Sequence, residues 1–177
     1  MHARVKGECG DMNRPIRQQL EEVYWQHRQG LFTLALAITR CHSRAEDAVH
    51  EAFSRLWKST LQPQRDLVPY VFAAVRNAAI DQVRRPSVNL QEAQQASIHD
   101  TRAENPLASA IEQEQQTLMR KAVEELPDEQ RQAVVLHIYA ALTFEQVSQM
   151  LGEPLPTVAS RYRRALERLK LAAQKLQ

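Results

Sequence analysis

The stretch Thr143–Leu169, TFEQVSQMLGEPLPTVASRYRRALERL, decides the fold. Thr143 and Gln146 have the spacing of a capping box, so a short helix is expected to open there. Phe144, Val147, Met150 and Leu151 give that helix an apolar side. Gly152 stands just past its end, where a left-handed residue is needed. Two prolines follow, and a longer helix is expected to start near Pro156 or Thr157. Its apolar positions, Val158, Tyr162, Ala165, Leu166 and Leu169, recur at i, i+4, i+7, i+8 and i+11. The opposite stripe is Thr157, Ser160, Arg161, Arg164 and Arg168. Two helices joined by a short Gly-containing turn, the second with a basic, hydroxyl-bearing outer face, form a helix-turn-helix signature. The plainer alternative is a helical hairpin with a solvated basic face.

Outward from this motif, 177 residues fit one or two domains. Only 4 Gly, with many Ala, Leu, Gln, Arg and Glu, predict an all-α protein. No apolar run approaches the ~18 residues of a membrane helix, so no membrane insertion is expected. The N-terminal MHARVKGECGDM has no apolar core of a secretory signal. Cys9 and Cys41 do not make a disulfide framework, which points to a reducing cytoplasm. His2, Cys9, Cys41 and His42 lack any standard zinc spacing, so neither a metal site nor a cofactor is expected. The net charge of +2 is unevenly placed. Ala110–Glu153 holds eight acidic residues and three basic ones, whereas Pro154–Gln177 holds six basic and one acidic. Such a dipolar unit can present one end to a polyanion.

In the first half, residues 1–13 read as a loose tail. Helices are expected over Pro15–His27 and Leu31–Arg40. Ser43 and Glu46 have capping-box spacing, and from there Ala45, Ala48, Val49, Ala52, Phe53, Leu56 and Trp57 make a buried stripe. The other side carries Asp47, His50, Glu51, Ser54 and Arg55. That face is either solvated or docks a protein. A metal held by Asp47, His50 and Glu51 would lack supporting ligands. A further helix is expected over Pro69–Pro86, with Phe72, Val75, Ala79, Ile80 and Val83 inward. Arg76, Asn77, Asp81, Arg84 and Arg85 lie on its other side, with Asp81 and Arg85 spaced as an i, i+4 pair. This is either a salt-bridged helix end or a basic, amide-bearing edge for DNA. Residues 87–106 lose apolar periodicity and read as a linker. Helical patterning returns at Leu107, is broken by Pro127, and resumes over Asp128–Tyr139 with Val134, Val135 and Ile138 apolar.

Three stretches together resemble the extracytoplasmic-function sigma factors of bacterial RNA polymerase. RAEDAVHEAFSRLW, Arg44–Trp57, is similar to the region 2.2 helix that docks on the polymerase clamp. PYVFAAVRNAAIDQVRR, Pro69–Arg85, is similar to regions 2.3 and 2.4 and keeps their R-N-x-x-I-D-x-x-R-R pattern. Leu126–Lys170 resembles region 4, with an L-P-x-x-x-R opening and a T-V-x-S-R recognition helix. The resemblance implies two small helical domains, region 2 over 14–86 and region 4 over 107–177, joined by a flexible linker. It implies core-polymerase binding through Asp47, His50, Glu51, Ser54 and Arg55. Opening and reading of the minus-10 element falls to Arg76, Asn77, Asp81, Arg84 and Arg85. The minus-35 element falls to Thr157, Ser160, Arg161 and Arg164, with Arg163 and Arg168 nearer the DNA backbone. The partners implied are core RNA polymerase, promoter DNA and an anti-sigma factor, and the protein is expected not to be an enzyme. An autonomous helix-turn-helix regulator is the alternative, but it has no need of the first-half pattern. If the two units pack together and hide Arg161 and Arg164, the free protein binds DNA poorly. The chain departs from the family pattern at His50, Glu153, Leu155, Pro156 and Ala159, and it has no tryptophan near Pro69.

Overall fold

The computed structural model describes residues 16–59, 66–85 and 110–174, with the backbone alone for 110–116. The expected tail, 1–13, and linker, 87–106, lie outside these residues. Helix α1 (Ile16–Thr39) is one continuous helix where the sequence predicts two. Gly30 explains the difference. It stands in the gap between the two expected helices, but a Cβ there would lie 2.8 Å from Ala140 Cα and 2.9 Å from Ala140 Cβ. Close packing against a distant segment therefore requires the glycine; no turn does.

Helix α2 (His42–Lys58) begins a residue ahead of Ser43, with Cys41 as its N-cap. The expected Ser43–Glu46 capping box does not form. Ser43 Oγ lies 3.3 Å from Cys41 Sγ, and Glu46 faces His42 at 3.6 Å. The α1–α2 corner is closed by Thr39, whose hydroxyl donates to Ala35 O at 2.9 Å and accepts from Cys41 N–H at 3.4 Å. Helix α3 (Leu67–Arg84) is capped by Asp66, which accepts from Val68 N–H at 3.1 Å. Pro69 thus falls within the first turn, where a missing N–H leaves no helical bond unmade. The three helices bury Leu31, Leu34, Ala48, Val71, Phe72 and Val75 among others. Val83 and Trp57, expected inside, are exposed: each stands in its helix's final stretch.

Four helices follow: α4 (Ala110–Glu124), α5 (Asp128–Val134), α6 (Phe144–Leu151) and α7 (Leu155–Gln174). The predicted helix over Asp128–Tyr139 changes at Val135 into a π-helical turn, Val135–Tyr139. Ala140 N–H reaches back five residues to Val135 O at 3.0 Å. The turn points Ile138 and Tyr139 outward and leaves Val135 and Leu136 buried. Helix α6 has the expected box. Gln146 N–H donates to Thr143 Oγ1 at 3.2 Å, and Thr143 N–H to Gln146 Oε1 at 3.0 Å. Gly152 closes it at φ 67°. Helix α7 starts at Leu155, ahead of the expected Pro156 or Thr157. Pro154 O accepts from Thr157 N–H at 2.9 Å, so Pro156 is accommodated in the first turn.

The two halves share one apolar interior. Val135, Leu136, Ala140, Leu142, Val147, Met150 and Val158 belong to the same buried cluster as the α1–α3 core. A smaller cluster of Leu126, Val134 and Ala165, with Tyr162 and Leu169, is confined to the C-terminal half. Full burial of a leucine such as Leu136 contributes about 1.5–3 kcal/mol. Polar groups register the seam. Arg131 is 2% exposed and donates from Nε to Ala37 O at 3.0 Å. Its Nη1 donates to Glu124 O and to Leu126 O, both at 2.9 Å. These are C-terminal carbonyls of α1 and of the α4 end, which their own helices leave unpaired. One guanidinium therefore closes two helices, one from each half, where its charge suits their dipoles. Gln146 also bridges the halves: its Nε2 donates to Asp66 Oδ2 at 2.9 Å. The N-cap of α3 and the capping box of α6 are thus bonded to each other.

Candidate protein- and nucleic-acid-binding surfaces

Helix α2 places Asp47, His50 and Arg55 in solvent and half-buries Glu51 and Ser54. The face continues into an open groove of about 600 Å³ between α1 and α2. Tyr24, Phe32, Phe53 and Trp57 line it together with Arg28, Glu46, Asp47 and His50. Trp25, at 60% exposure, flanks it and carries the Arg28 guanidinium 5.6 Å from its ring centroid. Aromatic groups beside a polar rim are the composition of protein–protein anchors. Helical period places Phe53 and Trp57 in the core, and nothing local marks the α1 aromatics as their neighbours, so the groove is not legible in the sequence. Its one trace there is the close spacing of Tyr24, Trp25 and Phe32.

Glu51 joins this face to the C-terminal end of α3. Its Oε1 accepts from Arg55 at 2.5 Å and from Arg85 at 2.9 Å, and its Oε2 accepts from Gln82 Nε2 at 3.1 Å. Burial pushes the Glu51 carboxyl upward, but the Arg85 bond and the charges of Arg55 and Arg85 outweigh it and hold it below its ordinary value. Asp81 faces Arg55 at 3.6 Å. The expected Asp81–Arg85 pair is therefore replaced by bonds between helices. The structure brings together Glu51, Arg55, Asp81 and Arg85. Asn77 and Arg84 stand exposed and apart from that network. Arg76 points elsewhere, donating from Nε to Gln132 Oε1 of α5 at 2.9 Å. Among the described residues, no three His, Cys, Asp or Glu side chains converge on a metal position.

The helix-turn-helix is set by a ring cluster. His137 stacks on Phe144 at 4.3 Å and meets Tyr162 edge-on at 4.9 Å; Phe144 and Tyr162 lie 5.3 Å apart. His137 Nδ1 also lies 2.8 Å from Leu142 O. The cluster ties the π-helical turn to α6 and α7 and fixes the angle at which α7 is presented. On α7, Arg163, Arg164 and Arg168 are exposed, and Thr157 and Ser160 are half-buried. Arg161 differs: its side chain is 18% exposed. Its Nη2 lies 3.0 Å from Glu129 Oε2, and its Nη1 donates to Glu153 Oε2. The Glu153 bond raises the Arg161 pKa further above its ordinary value, against burial and with the charges of both carboxylates. Packing of the two halves was expected to hide Arg161 and Arg164; the described partners of Arg161, Glu129 and Glu153, belong to its own half, and Arg164 is open.

Comparisons with known proteins cover both halves. The family model for sigma-70 region 2 matches residues 23–87, and that for sigma-70 region 4 matches residues 116–169. The extracytoplasmic-function RNA polymerase sigma factor SigE of Mycolicibacterium smegmatis is 29% identical over 153 residues. That match takes in 85% of this chain and 60% of SigE, so the chain spans about three-fifths of that relative's length. SigM of Bacillus subtilis is 26% identical over 154 residues, with 85% and 93% covered. Among solved structures, the sigma factor RpoE of Bartonella quintana, crystallised with the anti-sigma factor NepR, superposes with a TM-score of 0.64. That likeness covers 90% of this chain and 96% of the other at 21% identity, and it shows the shared fold.

Proposed function

The chain belongs to the extracytoplasmic-function sigma factors of bacterial RNA polymerase, and from that premise we propose that it binds core polymerase and directs promoter-specific initiation. The observation that carries the reading is the order of parts in one chain. A docking face with an aromatic groove comes first, a basic α3 end second, and a helix-turn-helix with three open arginines third. Core polymerase is held by Asp47, His50, Glu51, Ser54 and Arg55, and the groove adds Tyr24, Phe53 and Trp57. The minus-10 element is opened and read by Arg76, Asn77, Asp81, Arg84 and Arg85. Asn77 supplies donor and acceptor groups to an unstacked base, and the arginines hold phosphates. Thr157, Ser160, Arg161 and Arg164 read the minus-35 element, while Arg163 and Arg168 grip its backbone.

The reading assigns residues 14–86 to region 2, 107–177 to region 4 and 87–106 to the connection between them. The protein acts in the cytoplasm and carries out no chemistry of its own. The Arg76–Gln132 bond and the Arg131 and Gln146 bridges describe a closed free form, in which one minus-10 residue is engaged by the other half. Free protein is accordingly a poor DNA binder, and core polymerase separates the halves. An anti-sigma factor, the class of partner crystallised with RpoE, holds the inactive form.

Run-off transcription with core bacterial polymerase and a promoter library tests this reading. Wild type yields defined start sites, and Asn77→Ala and Arg164→Ala lose them by failing at the minus-10 and minus-35 elements respectively. No transcripts, with tight duplex binding by the protein alone, would establish the autonomous regulator instead.

A further inference from the structure

Glu153 stands in the turn between α6 and α7, at a position where the family pattern is apolar. Its backbone is pinned from both sides. Ser148 Oγ donates to Glu153 O at 2.5 Å, and Glu153 N–H donates to Ser148 O at 3.1 Å. The short turn therefore fixes where its carboxylate emerges. That carboxylate meets Arg161 Nη1, and Glu129 reaches Nη2 from α5. The side chains of Glu153 and Arg161 are 32% and 18% exposed, so the pair is partly withdrawn from solvent. Two carboxylates around one guanidinium leave a local charge of about −1 on an otherwise basic recognition surface.

An arginine so paired has lost its attraction for a phosphate, which carries the same sign as its partners. It has not lost its donors. A guanidinium has five N–H groups, and one bond on each Nη leaves three. Those three can still meet neutral acceptors, and guanine O6 and N7 in the major groove are neutral. Arg163 and Arg168, assigned to the DNA backbone, have no such restraint: both are exposed, and they serve any DNA equally.

We propose that Glu153 is a specificity-determining residue: by pairing with Arg161 it withholds that arginine from phosphates and reserves it for a guanine-bearing base pair in the minus-35 element. The inference rests on the minus-35 assignment of α7. Glu129 assists from α5, and the same contact braces α7.

The test uses holoenzyme reconstituted with core bacterial polymerase, titrated against fluorescent duplexes between 50 and 200 mM salt. One duplex carries the minus-35 sequence selected by wild type, and the other is a scrambled duplex. Glu153→Gln keeps the side-chain shape and removes the charge. It is expected to raise the charge around Arg161 by one, from about −1 to about 0 with Glu129 still in place, so that the guanidinium can turn to a phosphate, steepening the log–log salt dependence on scrambled DNA by about 0.9. Over this fourfold salt range that slope is an extra factor of about 3.5, and discrimination between the duplexes falls by about the same factor at low salt. The double variant Glu153→Gln/Arg161→Ala is expected to restore the wild-type slope, while discrimination stays low because the arginine that reads guanine is gone. Melting of each variant separates a loss of folding from a change in reading. An unchanged slope and unchanged discrimination in folded Glu153→Gln would overturn the proposal and leave the pair as a brace. Persistence of the steeper slope in the double variant would also overturn it, since Glu153 would then act without Arg161. Failure of the sigma-factor reading looks different: wild-type holoenzyme would then select no minus-35 sequence.

Discussion

Replacing Arg131 by methionine tests whether one guanidinium holds two helix ends. Methionine fills similar volume, so little cavity arises and the change is mainly the loss of donors. Three carbonyls, Ala37 O, Glu124 O and Leu126 O, lose their partner. A buried acceptor left unpaired costs about 1–3 kcal/mol, and taking the low end for carbonyls gives about 3 kcal/mol in total. The contact with Asp128 adds little, because that carboxylate is 73% exposed. Burial, and then the nearby charge of Arg40, lower the Arg131 pKa, but a guanidinium remains charged at neutral pH. For a chain of this size each kcal/mol moves the melting midpoint by about 2–4 °C, so Arg131→Met should lower it by about 6–12 °C. Calorimetry at pH 7 measures this, and Arg131→Lys should fall between, since one ammonium serves fewer of the carbonyls. A shift under about 2 °C in Arg131→Met would refute the reasoning, because water would then be satisfying the same carbonyls.

Two further outcomes probe the seam. In an ordinary helix Gly→Ala stabilises by about 1 kcal/mol, but Gly30→Ala drives a methyl against Ala140. It should lengthen the distance between spin labels on α1 and α7, and it should tighten binding of the free protein to a minus-35 duplex. His27, edge-on to Phe72 at 5.7 Å, has its pKa lowered by burial, against an Ala140 backbone bond and the charge of Asp66. Its contribution is therefore fully present above 6.5 and is lost as pH falls through the lower folded-state value. The melting midpoint should drop between pH 7.5 and 5.5 more in wild type than in His27→Gln.

What was legible in the sequence was local. Thr143, Gln146 and Gly152 act within one or two turns of themselves, and α6 has the expected cap and stop. The exposed Arg164 and Arg168 followed from helical period alone. What was missed depended on distant partners. Gly30 falls between two expected helices, and its reason for being glycine, the approach of Ala140, is not local. Asp81 and Arg85 have the spacing to pair, but Arg55 and Glu51 on the neighbouring helix take them. Arg131 was visible as part of an L-P-x-x-x-R opening, while its reach to Ala37 O depends on a contact 94 residues away. The π-helical turn adds no residue type that a periodicity count would register, yet it decides that Ile138 faces outward.

The apolar interior common to both halves also makes their association a matter of temperature. Parting them would bring Val135, Leu136, Leu142 and their α1–α3 neighbours into water. Exposure of that kind raises heat capacity, and the driving force against it weakens on cooling. Each half keeps most of its own hydrogen bonds when they part: the α6 box is internal, and Asp66 still caps α3. Cold therefore loosens the association before it loosens either half. The open population of the free protein rises toward low temperature, with its helices intact.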